Sequence, residues 1–515
     1  MIDPDHTDSL LKKTAGGAGW TISWRAVTRT LGFLSTLVLA RVLVPADFGL
    51  VALAISFASA IDIFGEIGVK DALVRATSSN RDAYDAAFTV NVIRGVITTA
   101  LVAASAGPFA RFFGDPRLYY VVLVLATTIL LDALENIGVA DFRRHLDFHR
   151  EFQLNIFPRI AQVAITVTLA LAFANYWALV AGLVTARALQ TIISYVMHPY
   201  RPRISLRAWR DIAGFSVWTW LLSMARMIRD RCVIMIIGGM LNPAALGVFS
   251  IGQEVATLPE TEFIGPLGRA CFAGFAAARR VGLSVPEAYL RIVSSTSIIA
   301  IPASIGISSL AAPLVYVAFG AKWIEAVPVV EILAATGALA VLSRISTTLF
   351  NAFAYLGSLF WTAVFISVAQ IALLVPFVSY QGIVGAAIAL AIAALIEQSI
   401  LSVLVFRRLA MRPWNLLSRV WRCLVTSAVM AVLLALSGLG WSANATTISA
   451  NVWQLFVASL FGAAVYMIAL LGLWVVSGRP NGPEVDLLSI VRGGSTGLYG
   501  SFRRWTVLLR TTASR

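Results

Sequence analysis

Fourteen apolar runs divide the chain, at about 18–40, 48–69, 86–110, 118–139, 153–174, 176–197, 214–238, 244–267, 290–316, 325–349, 358–379, 382–405, 422–439 and 453–476. Each is near the ~20 mostly apolar residues that a helix needs to cross a bilayer. Lipid leaves backbone polar groups without water, so only helices and closed barrels can span it. Barrel strands would be alternating segments of about ten residues, and these runs are continuous. The pattern predicts an all-α polytopic membrane protein of about 14 transmembrane helices.

Composition agrees. Of 515 residues 59% are apolar and 13% charged, beyond what a soluble fold can bury. Net charge is +14. With the N-terminus inside, and with Arg291 and Arg422 at run ends counted with the connections, the segments between runs carry 27 basic residues on the cytoplasmic side and four outside: Arg41, Arg111, Arg117 and Lys322. That asymmetry predicts both termini in the cytoplasm. The longest connections, about 198–213, 268–289, 406–421 and the uncharged external 440–452, leave no room for a soluble catalytic domain. Cys232, Cys271 and Cys423 are widely spaced and form neither a disulfide framework nor a metal motif. Only four of the 40 basic residues are Lys, an Arg bias that suits a GC-rich bacterial genome. Met1–Gly19 lacks the ordered regions of a signal peptide.

A repeat subdivides the runs. Pro45-Ala46-Asp47-Phe48-Gly49 opens the second run and Pro243-Ala244-Ala245-Leu246-Gly247 the eighth. Proline suits a first helical turn. With Trp and Gly near the start of each preceding run, this predicts an N-terminal lobe (18–197), an inter-lobe loop (198–213), a second six-helix lobe (214–405) and two further helices (406–476). A cytoplasmic N-terminus (1–17) and a basic tail (477–515) flank them. Such parallel repeats, with a site between them, are a transporter pattern.

Nine Arg fall inside runs: Arg25, Arg29, Arg94, Arg159, Arg187, Arg226, Arg229, Arg231 and Arg344. Facing lipid, they would cost roughly 25 kcal/mol together. They must therefore face a wet cavity, pair with acids or snorkel. At 100° per residue Arg25, Arg29, Gly32 and Thr36 share a sector, as do Asn91, Arg94 and Thr98, and Asn155, Arg159, Gln162 and Thr166. Arg187 goes with Gln190, and Arg226 with Asp230 and Thr219; Arg231 falls off that face. Arg presents a permanent charge in a planar fork suited to phosphate or carboxylate. Arg25, Arg29, Arg94, Arg159, Arg187, Arg226 and Arg229 are accordingly the candidate anion-binding residues. The plainer alternative is that each Arg pairs with a nearby acid, for example Arg25 and Arg29 with Asp62 and Glu66. No phosphate-binding loop for ATP is present. Uphill transport would draw on an H+ or Na+ gradient or on a partner, with Asp62, Glu66, Asp132, Glu135, Asp230, Glu254 and Glu331 as candidates for ion coupling. No cofactor is expected.

Other signals are weaker. Asp141, His145 and His149 have helical spacing suited to a metal or to a solvated interfacial helix. Asn444-Ala-Thr446 matches a glycosylation acceptor by chance. Residues 498–510 suit an anionic lipid surface. Pro259, with Glu260 and Glu262 just beyond it, marks a helix break, a hinge or an ion site.

The stretch Ala40-Arg41-Val42-Leu43-Val44-Pro45-Ala46-Asp47-Phe48-Gly49-Leu50, followed by Asp62, Gly65 and Gly68, resembles the start of bacterial polysaccharide transporters, the oligosaccharide (O-antigen and exopolysaccharide) flippases. The wider group includes multidrug antiporters and the peptidoglycan-precursor flippase. The resemblance implies alternating access through a cationic cavity that moves an undecaprenyl-diphosphate-linked oligosaccharide between leaflets, with polysaccharide polymerase or export proteins as partners and no nucleic acid. A cationic-drug antiporter would want an acidic, aromatic cavity. A membrane glycosyltransferase or polymerase would need a sizeable external loop.

Overall fold

The computed structural model describes residues 27–63, 73, 81–145, 147–208, 217–261, 275, 284–441, 447–479 and 484. Arg25, Glu66, Glu262, Asn444 and residues 498–510 lie outside them. Every regular element among the described residues is helical. The chain divides into two compact units, Met1–Ser250 and Ile251–Arg515.

In the first unit residues 27–42 form α1 and lead into α2 (Pro45–Asp62). Pro45 takes the first turn, where its missing N–H is not needed, and the Asp47 carboxylate accepts from Val44 N at 3.3 Å. α3 (Arg81–Phe112) packs along α4 (Arg117–Ala133). Gly95 permits their approach, because a Cβ there would collide with that of Ala133. The expected run 118–139 is not one straight helix. It turns by 63° into a 3-10 turn, Ile137–Val139, and a short helix, α5 (Ala140–Arg144). The cause is Asn136, fully buried at the bend: its Oδ1 accepts from Gly138 N at 2.9 Å, and its Nδ2 donates to the carbonyls of His198 and Tyr200. Asn91 Nδ2 takes up the Ala133 carbonyl freed at the same place, at 3.1 Å. α6 (Phe148–Phe173), capped by Asp147, and α7 (Trp177–Met197) then pair closely, with Gly182 against the Thr166 side chain.

After α7 the chain runs back as a strap. The Tyr200 hydroxyl donates to buried Asp85, which also accepts from Arg203 N at 2.9 Å, and Ser205 N donates to Thr89 Oγ1 at 2.9 Å. His198 Nε2 lies 3.4 Å from Asp141, which also accepts from the Tyr84 hydroxyl. Burial holds the His198 pKa below its usual 6.5 against the opposing pull of Asp141, and burial with the Asp85 bond raises that of Tyr200.

α8 (Val217–Met240) and α9 (Pro243–Ala256) repeat the α1–α2 hairpin. α8 packs against α2. The two hairpins meet reciprocally: a Cβ on Gly49 would fall on the Pro243 carbonyl, and one on Gly247 on the Pro45 carbonyl. α9 loses regular helix at Thr257, ahead of Pro259.

The second unit contains α10 (Val285–Ser309), α11 (Ala311–Phe319), a 3-10 turn Ala321–Ala326, and α12 (Val327–Ala352). α13 (Leu356–Arg408) follows, then α14 (Pro413–Leu436) and α15 (Ile448–Val476). The 53 residues of α13 would extend about 80 Å at 1.5 Å each, far beyond a hydrocarbon core of about 30 Å. They are two helices joined at Gly382, whose φ of 58° and ψ of −133° suit glycine. This matches the expected pair 358–379 and 382–405. Two expectations are corrected. The run 290–316 is interrupted at Leu310, and α14 begins at Pro413 rather than 422 because the proline opens the helix. Arg422, assigned by charge sorting to a cytoplasmic segment, is buried inside α14 and paired with Glu484, Nε to Oε1 at 2.7 Å.

Among the described residues nine helices are long and apolar enough to span a membrane, or ten if the bent α4–α5 pair is one span. α8 fails that composition because it carries Arg226, Arg229, Asp230 and Arg231. The protein is a multi-pass, all-helical membrane protein.

Candidate functional site

The first unit encloses a cavity of about 490 Å³. Its wall takes Ser59 and Asp62 from α2, Thr128 and Asp132 from α4, Asn155, Arg159 and Gln162 from α6, and Arg187 and Gln190 from α7. These residues fall on the polar faces of their helices, so a period of 3.6 brings them to one side.

Charges in the cavity are paired. Arg187 Nη1 donates to Asp132 Oδ1 at 2.9 Å and to Gln190 Oε1 at 3.3 Å. Arg94, reaching in from α3 and almost buried, donates to Asp62 Oδ1 at 3.1 Å. Its Nε is a buried donor with no partner among the described residues. Arg159 Nη1 donates to Gln162 Oε1 at 2.8 Å, and the guanidinium lies across Gly32 of α1 at a point where any Cβ would strike it. The polar sector of α1 thus reaches the cavity through a glycine. Asp62 is thus paired with Arg94; Arg25 and Glu66 of the example pairing lie outside the described residues.

The Arg187 side chain is 47% exposed and that of Asp132 32%. An ion pair in such a wet place is worth about 0–1 kcal/mol. An incoming dianion can therefore replace the carboxylate at little cost. A fully desolvated pair would resist, because breaking it strands a charge.

Of the sequence candidates, Asp62, Asp132, Arg159 and Arg187 line the cavity and Arg94 joins through Asp62. Arg29, exposed on α1, is not in its wall, nor are Arg226, Arg229 and Asp230 on α8. Arg229 Nε lies 3.4 Å from its neighbour Asp230. Arg231, unexplained by the wheel, is half-buried and reaches Ser56 Oγ of α2 at 3.5 Å. Glu254 is exposed and Glu331 half-buried, both in the second unit, where Arg344 pairs with Glu260. Glu135 is buried in a smaller adjoining chamber. No group of three or more His, Cys, Asp or Glu among the described residues is placed to hold a metal. In particular Asp141 turns its carboxylate to Tyr84 and His198, and His145 Nδ1 meets the Asp141 carbonyl at 3.0 Å. The bend at Asn136 and the strap on Asp85 had no sequence signal beyond isolated polar residues.

Several known proteins are similar to this chain. The succinoglycan biosynthesis transport protein ExoT of Rhizobium meliloti is 23% identical over 325 residues, 63% of this chain and 66% of that protein. The lipopolysaccharide biosynthesis protein WzxC of Escherichia coli is 21% identical over 339 residues, 64% of this chain and 68% of that protein. The teichuronic acid biosynthesis protein TuaB of Bacillus subtilis is 22% identical over 284 residues, covering 54% and 58%. The match thus spans just under two thirds of the first of these relatives, and less of the last. Among solved structures, the lipid II flippase MurJ in an inward closed conformation superposes with a TM-score of 0.72 at 14% identity, covering 89% of this chain and 99% of that one. A multidrug resistance MATE family transporter in an inward-facing conformation gives 0.58 at 15% identity, covering 74% and 94%. These two show the fold. A family model described as polysaccharide biosynthesis protein matches residues 38–328, more than half of the sequence, and the chain belongs to that family.

Proposed function

We propose that the protein is a flippase, not an enzyme. It moves an undecaprenyl-diphosphate-linked oligosaccharide from the cytoplasmic to the outer leaflet of the inner membrane, for surface polysaccharide synthesis. The observation that carries this reading is the cavity in which Arg159 and Arg187, with Arg94 behind Asp62, converge among membrane-spanning helices. Such planar, permanently charged forks suit a diphosphate. The family membership and the names of the relatives supply the saccharide. The proposal includes fourteen spans in two six-helix lobes plus two, both termini in the cytoplasm, alternating access, and an H+ or Na+ gradient as the driving force. Arg29, Arg226 and Arg229 remain proposed contacts at a later stage of the passage, and Glu254 and Glu331 proposed ion-coupling residues.

A deletion strain tests it. It is expected to lose one surface polysaccharide and to accumulate the corresponding lipid-linked repeat on the cytoplasmic side. Arg159→Ala and Arg187→Ala should each fail to restore export at wild-type protein levels. Full export by both variants sinks the cavity reading. Unchanged polysaccharide in the deletion strain sinks the flippase.

A further inference from the structure

A second chamber of about 150 Å³ adjoins the cavity and shares four wall residues with it: Asp132, Asn155, Arg187 and Gln190. Glu135, 4% exposed, and Ala140 line the chamber but not the cavity. Its far end is the joint between α5 and α6, where Arg143 Nε donates to Glu151 Oε1 at 2.7 Å. The Arg143 side chain is 56% exposed, so this end meets the surface. A space of about this volume takes one six-membered ring. The two amides in its wall are each half used. Asn155 Nδ2 donates to the Glu151 carbonyl at 2.7 Å, which fixes the amide, and among the described residues nothing donates to its Oδ1. Gln190 Oε1 accepts from Arg187 Nη1 at 3.3 Å, and among the described residues its Nε2 has no acceptor. One amide thus offers an acceptor and the other a donor. The wall also holds three carboxylates, Asp132, Glu135 and Glu151, against two guanidinium groups, Arg143 and Arg187.

We infer that this chamber is a monosaccharide subsite: it takes the neutral pyranose bonded directly to the diphosphate, whose hydroxyls are read by Asn155, Gln190 and Glu135. The inference rests on the flippase reading. Covalent order fixes the placement. In a lipid–diphosphate–saccharide the first sugar is joined to the outer phosphate, so it must lie in the polar space beside the diphosphate. The chamber is such a space, since Arg187 stands in both walls. A hydroxyl both donates and accepts, and so matches an open amide oxygen, an open amide nitrogen and a carboxylate, which accepts only. An acidic sugar would bring its charge against the surplus of carboxylates. One ring fills the chamber, and the remaining sugars continue through the α5–α6 joint to the surface.

Binding to the whole protein in lipid nanodiscs tests it. The probes are undecaprenyl diphosphate and four derivatives carrying one sugar each: glucose, galactose, N-acetylglucosamine or glucuronic acid. At least one of the three neutral sugars is expected to tighten binding about tenfold or more over undecaprenyl diphosphate, the gain of one or two hydrogen bonds to a charged or amide partner. Glucuronic acid is expected to give no gain. Ala140→Leu fills the chamber, and Glu135→Gln removes its charged acceptor without changing its shape. Each should abolish most of the gain and still bind undecaprenyl diphosphate as the wild type does. Equal binding with and without a neutral sugar, an equal gain from glucuronic acid, or a full gain in both variants overturns the subsite. Loss of undecaprenyl diphosphate binding by both variants overturns it too, because the chamber is then part of the diphosphate site. Failure of the wild-type protein to bind undecaprenyl diphosphate at all overturns the flippase reading, and the subsite with it.

Discussion

Arg187 shows how exposure decides what an ion pair does. Half exposed beside Asp132, it is held by about 1 kcal/mol or less, so Arg187→Ala should change thermal stability in detergent little while removing export. Arg422 is the opposite case. It and Glu484 are both nearly inaccessible and bonded twice, at 2.7 and 3.1 Å. Removing one partner leaves a buried charge, a loss of about 3–5 kcal/mol. Glu484→Ala should lower the unfolding temperature far more than any cavity variant. His198 sets a pH dependence. Its pKa is lower in the fold than the 6.5 of an unfolded histidine, chiefly through burial, so the unfolded chain binds the extra proton between the two values. Stability of the strap is then full above about 6.5 and falls as pH drops toward the folded value. Arg150 and Arg201 push the same way and Asp141 opposes. Protection of the amides at residues 198–208, measured against the intrinsic exchange rate at each pH, should fall from about pH 7.5 to about 5.5, and His198→Gln should flatten the trend. The Arg of the cavity were legible in the sequence because an intramembrane charge is too costly to be incidental. Their partners were not: Arg94 and Asp62 are 32 residues apart, and only packing selects that pair over Arg29.

Among the elements, the two proline–glycine hairpins carry the clearest agreement between pattern and structure. Pro45 and Pro243 open α2 and α9, and Gly49 and Gly247 each sit where a Cβ would strike the other hairpin's proline carbonyl. Rigid backbone cannot yield as a side-chain tip can. Gly49→Ala and Gly247→Ala should therefore each part the hairpins. Reduced export with normal membrane insertion is the expected phenotype, scored by surface polysaccharide. Wild-type export by both variants would show that the close contact is dispensable. Helix existence was readable because apolar runs of about twenty residues have few other fates in lipid. Helix breaks were less so. The 63° turn after Ala133 depends on Asn136 finding the carbonyls of His198 and Tyr200, 62 and 64 residues away, and no local propensity announces it.

For the whole molecule, the 40 basic and 26 acidic residues lead the sequence to predict an orienting excess in the connections and a paired set within the helices. The sequence by itself determined that the chain is a helical, multi-pass membrane protein with an arginine-bearing interior and a duplicated hairpin. These features follow from one-dimensional quantities: the length of apolar runs, the period of polar positions and the cost of charge in hydrocarbon. Only the tertiary structure decided which arginines share a cavity, which acids hold them, and how wet each pair is. It also moved Arg422 from an expected connection into a buried pair, and packed α8 against α2. The physical reason is common to all of these. A helix dictates its own polar face, but the neighbour that face meets, and the water left between them, are set by contacts between residues far apart in the chain.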